Sequence, residues 1–277
     1  MTEKILILGA SGYLGSAFVR ECDKRGIESF AAIRGAGHHY DNRQAFDWLM
    51  DFVNPSLVIN CAAFIPSPSV DACKDYPFET MATNVELPTM LAKVCSSEGV
   101  PLMHLSTGCL FDEQREYSET DVPTRGWQGY CGFYVGTKIA AEQIVSKIPQ
   151  HYILRLRLPF DEFDHPRNYL TKIAGFKTVF THTNSLSHRG DFVKAALDLW
   201  QMRAAFGTYH MVNPGFVTAA ETVALLMRQG IVAKVPQFGD NVTVGCKLST
   251  KKLLAAGVKI RDVHEALEHA VKNWRKA

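Results

Sequence analysis

The hydrophobic pattern of the chain begins with an unbroken apolar run, Ile5-Leu6-Ile7-Leu8, which breaks into a glycine-rich turn, Gly9-Ala10-Ser11-Gly12-Tyr13-Leu14-Gly15. A short apolar run bounded by glycine reads as a strand buried on both faces, and residues 16–21 beyond the turn can be helical. From there the pattern alternates. Residues 26–34 read as a second strand. Residues 41–54 read as a helix with Phe46, Leu49, Met50 and Val53 on its buried face, stopped by Pro55. Residues 57–63 are a third, buried strand, and 66–69 a proline-serine loop. A long helix is expected over 79–98, carrying Asn84, with Pro88 in its interior as a kink. A strand over 100–107, a polar loop over 112–129, a helix over 133–147 and a strand over 152–159 follow. Beyond Pro159 the order weakens. Helices are expected over 169–174, 191–202, 220–228 and 262–275, and a strand and turn over 207–215. The last helix puts Val263, Ala266, Leu267, Ala270, Val271 and Trp274 on one face.

Strands alternating with helices predict an α/β fold: a Rossmann-like, doubly wound parallel sheet that binds ligands at the C-terminal ends of its strands. The less regular remainder predicts a smaller C-terminal substrate lobe. The expected division is a dinucleotide-binding domain over 1–159, to which elements near 188–230 return, and a lobe made of 160–187 and 231–277.

Composition narrows the function classes. With 277 residues, 47% of them apolar and 21% charged, the chain is an ordinary globular protein. A net charge of +2 without a Lys/Arg stripe argues against a nucleic-acid partner. The seven cysteines are scattered and form no C-x-x-C pair, which reads as reduced thiols in a cytoplasmic protein rather than a disulfide framework or a metal site. Met1-Thr2-Glu3-Lys4 runs straight into the first strand, so no signal peptide is expected. No apolar run is long enough to span a bilayer, so no membrane partner is expected either.

The candidate chemistry gathers at strand ends. A strand, a G-x-x-G-x-x-G turn and a helix make a phosphate cradle: glycines let a pyrophosphate approach, and the helix N-terminus faces the anion. Arg34 stands at the end of the second strand with no acid before Asp41, which favours NADPH through a 2′-phosphate and leaves NADH open, Arg34 being equally readable as a solvated strand-end residue. Asn60-Cys61-Ala62-Ala63 ends the third strand in small side chains, leaving room for a cofactor or simply for a packed helix. Tyr134 and Lys138 lie four apart on one helix and share a face. A phenol with an ordinary pKa near ~10 is a poor acid–base group at neutral pH, and a neighbouring ammonium lowers it. Thr107, at the preceding strand end, can share the substrate oxygen.

These pieces, Gly9-x-x-Gly12-x-x-Gly15, Asn60-Cys61-Ala62-Ala63, Ser106-Thr107 and Tyr134-x-x-x-Lys138, resemble the extended short-chain dehydrogenase/reductases of the sugar-nucleotide branch. Within that branch the chain is similar to the 4-keto-rhamnose 3,5-epimerase/4-reductase domains of rhamnose synthases, and more distantly to the dTDP-4-dehydrorhamnose reductases. The likeness rests on Thr107-Gly108-Cys109-Leu110-Phe111, Arg155-Leu156-Arg157-Leu158-Pro159, the stretch from Pro166 to Ile173, and Asn213-Pro214-Gly215.

The resemblance implies a reductase triad. Tyr134 gives a proton as hydride reaches C4, Lys138 holds the cofactor ribose and tunes Tyr134, and Thr107 binds the keto oxygen. It implies cofactor contacts from Gly9, Ser11, Gly12, Tyr13, Leu14, Gly15, Arg34, Cys61, Ala62, Ala63, Lys138 and Pro159. It places Phe64, Asn84 and Asn168 toward a nucleotide-sugar substrate, and matches Cys109 and Lys172 to an acid–base pair for 3,5-epimerisation. A homodimer through helices 79–98 and 133–147 is also implied. The alternatives are an NAD-dependent sugar-nucleotide epimerase or dehydratase, and a non-catalytic nucleotide-binding subunit. Gly108-Cys109 stands where dehydratases of the branch carry an Asp-Glu pair. Two stretches depart from the family pattern, the loop 64–69 and the insert 125–132.

Overall fold

The computed structural model describes residues 3–113, 115–234, 236–239 and 245–275. The start at Met1-Thr2 and parts of the expected 231–277 lobe lie outside the described residues. The chain divides into two compact units. The first comprises Met1–Leu110, Arg125–Leu154 and Ala205–Thr208, and the second Phe111–Thr124, Arg155–Ala204 and Tyr209–Ala277.

In chain order the first elements are β1 (Lys4–Leu8), α1 (Gly15–Arg25), β2 (Glu28–Ala32), α2 (Arg43–Val53), β3 (Leu57–Asn60), α3 (Pro77–Met81), α4 (Leu87–Glu98) and β4 (Leu102–Thr107). Next come β5 (Glu116–Tyr117), α5 (Gly132–Val145), β6 (His151–Leu156), β7 (Pro159–Phe160), α6 (Tyr169–Ala174), β8 (Thr178–Phe180), β9 (Thr183–Asn184), β10 (Ser187–His188) and α7 (Arg189–Gln201). The chain ends with β11 (Gly207–His210), β12 (Val217–Thr218), α8 (Ala219–Arg228), β13 (Gln237–Gly239), β14 (Lys247–Leu248), α9 (Lys251–Ala255) and α10 (Val263–Lys272).

The fold is α/β around a six-stranded sheet in the order β11-β6-β4-β3-β1-β2. β1 pairs in parallel with both β2 and β3, so the chain order reverses at β1, the position where open α/β sheets bind ligands. Ile5, Leu6, Ile7 and Leu8 are fully buried, as a parallel strand covered on both faces requires. α2 buries the four residues expected from its period. Its start is set by Asn42, whose side chain accepts from Ala45 N–H, and its end by Asn54 in the left-handed conformation. These residues join Leu6, Val58, Leu91 and Leu102 in one core.

Several expected boundaries shift. β2 ends at Ala32, leaving Arg34 in a 3₁₀ turn (Arg34–Ala36), and β3 ends at Asn60 rather than 63. The expected 79–98 helix is not one kinked helix. α3 gives way to a wide π turn over Ala82–Glu86, and α4 starts just before Pro88. Proline offers no N–H to the helix ladder and crowds the carbonyl four residues back; the wide turn absorbs both.

The second unit is built differently. Its strands form two-stranded pairs, β10 with β7, β12 with β9, β13 with β8 and β14 with β5. Its core packs Leu170 and Ile173 of α6, Val223 and Leu226 of α8, and Val263, Ala266, Leu267, Ala270 and Val271 of α10. The segment 111–124 belongs to this unit because β5 pairs with β14, Tyr117 opposite Leu248. Of the stretch 188–230 expected to return to the dinucleotide-binding domain, Ala205–Thr208 groups with the first unit; α7 and α8 group with the second.

Candidate active site

The turn after β1 leaves no room for side chains. Gly9 has φ +70°, and a Cβ there would lie 2.8 Å from Ala62 N. A Cβ on Gly12 would lie 3.2 Å from the Gly9 carbonyl oxygen, and one on Gly15 would strike the same oxygen. α1 then starts at Leu14 with no side-chain cap and no acid in its first turn. A close-packed glycine turn followed by a helix N-terminus without a side-chain cap is a cradle for a pyrophosphate, with Ser11 and Tyr13 in the same turn, so these residues fit a dinucleotide. Arg34 is exposed in the 3₁₀ turn after β2, its guanidinium 5.8 Å from the Tyr40 ring centroid. It lines a cavity of about 490 Å³ with Asp41, Asn42 and residues of the π turn.

Across the sheet, α5 carries Tyr134 and Lys138 one turn apart, both buried. Burial pushes the Tyr134 phenol up, the neighbouring Cys109 adds to this, and a hydrogen bond with Thr107 opposes it. Thr107 ends β4, and its Oγ1 accepts from Cys109 N–H at 3.1 Å. Lys138 Nζ donates to the Leu105 carbonyl at 2.7 Å and stands 3.4 Å from His104 Nε2. Burial lowers Lys138 to about 8, against Glu142, which favours its charge. Lys138 is bound to β4, and the phenol is held protonated by burial. Ser106, beside Thr107, donates to Glu142 on α5.

Other expected positions resolve one by one. Cys61 and Ala62 follow β3 beside the glycine turn, and burial pushes the Cys61 thiol up; Ala63 is exposed. Asn84, in the π turn, accepts from Phe64 N–H at 2.8 Å and donates to Phe64 O at 3.1 Å. It clasps the backbone of the 64–69 loop and thereby places Phe64. In the second unit, Asn168 is fully buried and caps α6 by accepting from Leu170 N–H. Its Nδ2 serves Asp161 and Phe163, so its amide is fully employed within the fold. Lys172, on α6, is lowered by partial burial and by Arg167; Pro159 begins β7. Cys109 belongs to the first unit and Lys172 to the second.

Two features were not anticipated. His104 sits inside the buried strand Leu102-Met103-His104-Leu105, and an ionisable side chain in such a run was the signal. The insert 125–132 is docked on α5: a Cβ at Gly136 would fall inside the Trp127 ring, and one at Gly132 would lie 2.7 Å from the Trp127 carbonyl. Arg125 donates to Cys131 Sγ at 3.2 Å, and Cys131 N–H to Asp71 at 2.8 Å.

The RmlD substrate binding domain model matches residues 3–275. The chain belongs to this family. A bifunctional dTDP-4-dehydrorhamnose 3,5-epimerase/dTDP-4-dehydrorhamnose reductase of Arabidopsis thaliana is 30% identical over 230 residues, 79% of this chain and 73% of its own. A trifunctional UDP-glucose 4,6-dehydratase/UDP-4-keto-6-deoxy-D-glucose 3,5-epimerase/UDP-4-keto-L-rhamnose-reductase of the same plant is 30% identical over 227 residues; the match takes 80% of this chain but 33% of that protein. Among solved structures, the L780 UDP-rhamnose synthase of Acanthamoeba polyphaga mimivirus superposes with a TM-score of 0.86 at 20% identity, covering 99% of this chain and all of that one. A dTDP-4-dehydrorhamnose reductase of Bacillus anthracis in complex with NADP gives 0.82 at 17% identity, covering 99% of each chain. At these identities the structures share the fold of this RmlD-family chain.

Proposed function

We propose that this chain is an NADPH-dependent reductase of a nucleotide-linked 4-keto-6-deoxy sugar that also epimerises C3 and C5. The observation that carries the reading is the pairing of buried Tyr134 and Lys138 on α5 with Thr107 at the end of β4, in the unit whose glycine turn admits a dinucleotide. Two curated relatives at 30% identity carry this reduction in their names, and the structure of a dTDP-4-dehydrorhamnose reductase holds NADP.

When bound, NADPH supplies the hydride that reduces C4. The glycine turn and the N-terminus of α1 hold its pyrophosphate, and Arg34 the 2′-phosphate. Thr107 Oγ1 orients the keto oxygen. Tyr134, kept as a neutral phenol by burial, gives its proton to the alkoxide as it forms. For epimerisation, the keto group acidifies the C3 and C5 hydrogens, and Cys109 and Lys172 are the acid–base pair that the family resemblance gives for that step. Gly108 and Cys109, where a dehydratase needs acids, favour reduction over dehydration.

The test is oxidation of NADPH and NADH with UDP- or dTDP-4-keto-6-deoxyglucose in D₂O. NADPH oxidation with deuterium at C3 and C5 is the expected result. Oxidation without label removes the epimerase role and Cys109 with it. No oxidation with either cofactor overturns the reductase reading. The homodimer through α4 and α5 is tested by light scattering, where a monomer ends it. A cytoplasmic location fits seven free cysteines and is tested by fractionation of the source cell. Among the described residues no helix is long and apolar enough to cross a membrane.

A further inference from the structure

Asn60 and His104 are register partners across β3 and β4, and each is 1% exposed. Their polar atoms form one chain with Lys138 in which every link restricts the next. Ala62 N–H donates to Asn60 Oδ1 at 3.1 Å, which fixes the amide with its oxygen toward the backbone. The amide nitrogen, a donor only, therefore faces His104 Nδ1 at 3.1 Å. Nδ1 must accept, so a neutral imidazole carries its proton on Nε2. That nitrogen faces Lys138 Nζ at 3.4 Å. An ammonium has no lone pair, and against it Nε2–H would be a donor facing a donor. An amine resolves the conflict: it gives one N–H to the Leu105 carbonyl at 2.7 Å and accepts Nε2–H with its lone pair.

We propose that His104 is a positioning residue for Lys138: Asn60 holds its imidazole in the Nε2–H form, and that form favours the neutral amine at Nζ over the ammonium in the cofactor-free chain. The charge state of the lysine is thereby tied to the tautomer of a histidine behind it. Burial is the larger cause that keeps His104 well below the ordinary imidazole range, so it stays neutral whichever form Lys138 takes.

The surrounding groups are few. On α5, Glu142 lies one turn beyond Lys138 and favours the ammonium, while Tyr134 lies one turn before it. β4 adds Ser106, which donates to Glu142. The residue after β3 is Cys61, and the 3₁₀ segment Val70–Asp75 brings Cys73 near Tyr134; both are thiols. On the π turn and α4, Glu86, Lys93 and Glu98 are exposed. Glu142 is thus the one charge among these that opposes the amine, and it sets the competition that the histidine tautomer decides.

The proposal rests on the reading of Lys138 as the cofactor-side lysine, but its test does not need turnover. The probe is the ¹⁵N-histidine-labelled, cofactor-free chain, with long-range ¹H–¹⁵N spectra taken from neutral to alkaline pH and the His104 signals assigned by His104→Gln. Above pH 8 the expected state is Nε2 protonated and Nδ1 bare; a proton on Nδ1, or an imidazolium, overturns the proposal. A second, near-isosteric variant works in the opposite direction. In Asn60→Asp a carboxylate draws the imidazole proton to Nδ1 and turns the Nε2 lone pair toward Nζ. The lysine then keeps its proton to higher pH, by about one pH unit or more, read from ¹³Cε shifts of labelled lysine. An unmoved lysine titration, or an unchanged tautomer in that variant, also overturns it. If Tyr134→Phe keeps turnover while the tautomer is as stated, the reductase triad fails and the His104–Lys138 coupling stands.

Discussion

Two buried polar regions of the chain are built on opposite terms. Around Asp161 and Asp191 in the second unit, strong groups meet their complements. Arg189 donates to Asp161 at 2.6 Å, Arg261 forks onto Asp191 at 2.9–3.1 Å, and Asn213 spans Asp191 and the Arg261 carbonyl. Although burial alone pushes both up, Asp191 is held down at about 2 by His188, Arg261 and Asn213, and Glu162 at about 2 by His188 and His269. In the first unit the buried groups are shifted against their charged forms. Tyr134 is pushed up and Lys138 down, each mainly by burial. Buried charges that are fully paired hold a fold together, whereas groups kept off their ordinary pKa values are set for proton movement. The Asp161–Asp191 network is scaffold in this sense, and the α5–β4 face has the make-up of the machinery proposed for it.

The largest break in that contrast comes from the phenol. Tyr134→Phe removes one hydroxyl from the machinery and nothing from the scaffold. Turnover with NADPH is expected to fall about 10²–10⁴-fold, the span of a lost general acid, while NADPH binding and the melting temperature stay near the parent values. Steady-state kinetics beside a thermal melt decide it, and unchanged turnover removes Tyr134 from the triad.

Asn168→Ala tests the other side. The truncation leaves the N–H of Leu170 at the start of α6 uncapped and strips a donor from the carbonyl and carboxylate of Asp161 and from the carbonyl of Phe163. A loss of about 2–4 kcal/mol in urea unfolding is expected, with NADPH affinity unchanged. A variant as stable as its parent but with a raised KM for the sugar returns Asn168 to the substrate-binding role that the family resemblance gave it.

Much of this division was legible before the structure. The period of Phe46, Leu49, Met50 and Val53 and the flanking asparagines are local signals, and α2 follows them. The Tyr134–Lys138 spacing is local too, since a helix brings i and i+4 together whatever packs around it. The Pro88 region failed because a side-chain period does not report which backbone ladder carries it, and a π turn uses the same residues as a kinked helix. The coupling of Asn60, His104 and Lys138 needed the β3–β4 register, which joins residues 44 positions apart. The second unit's strands are mostly two residues long, too short for a period of two to show.

The smallest effect, and the one that sharpens the comparison most, is the pH dependence of stability. Asp191 titrates at about 2 when folded and near ~4 when unfolded. It therefore contributes stability that is fully present above pH ~4 and is lost as pH falls toward 2. Lys138 has the opposite standing: about 8 when folded against its ordinary 10.5, so burying its ammonium costs stability at neutral pH and the cost fades as pH rises from 8 to 10.5. Lys138→Met should then raise the unfolding free energy from urea titration at pH 7, by on the order of 1–2 kcal/mol, and lose that advantage by pH 10.5. Asp191→Asn should lower stability at pH 7 by more than it does near pH 2. Should Lys138→Met instead destabilise the chain at pH 7 as much as at high pH, the buried ammonium is paid for by partners, and the α5–β4 face is scaffold like the rest.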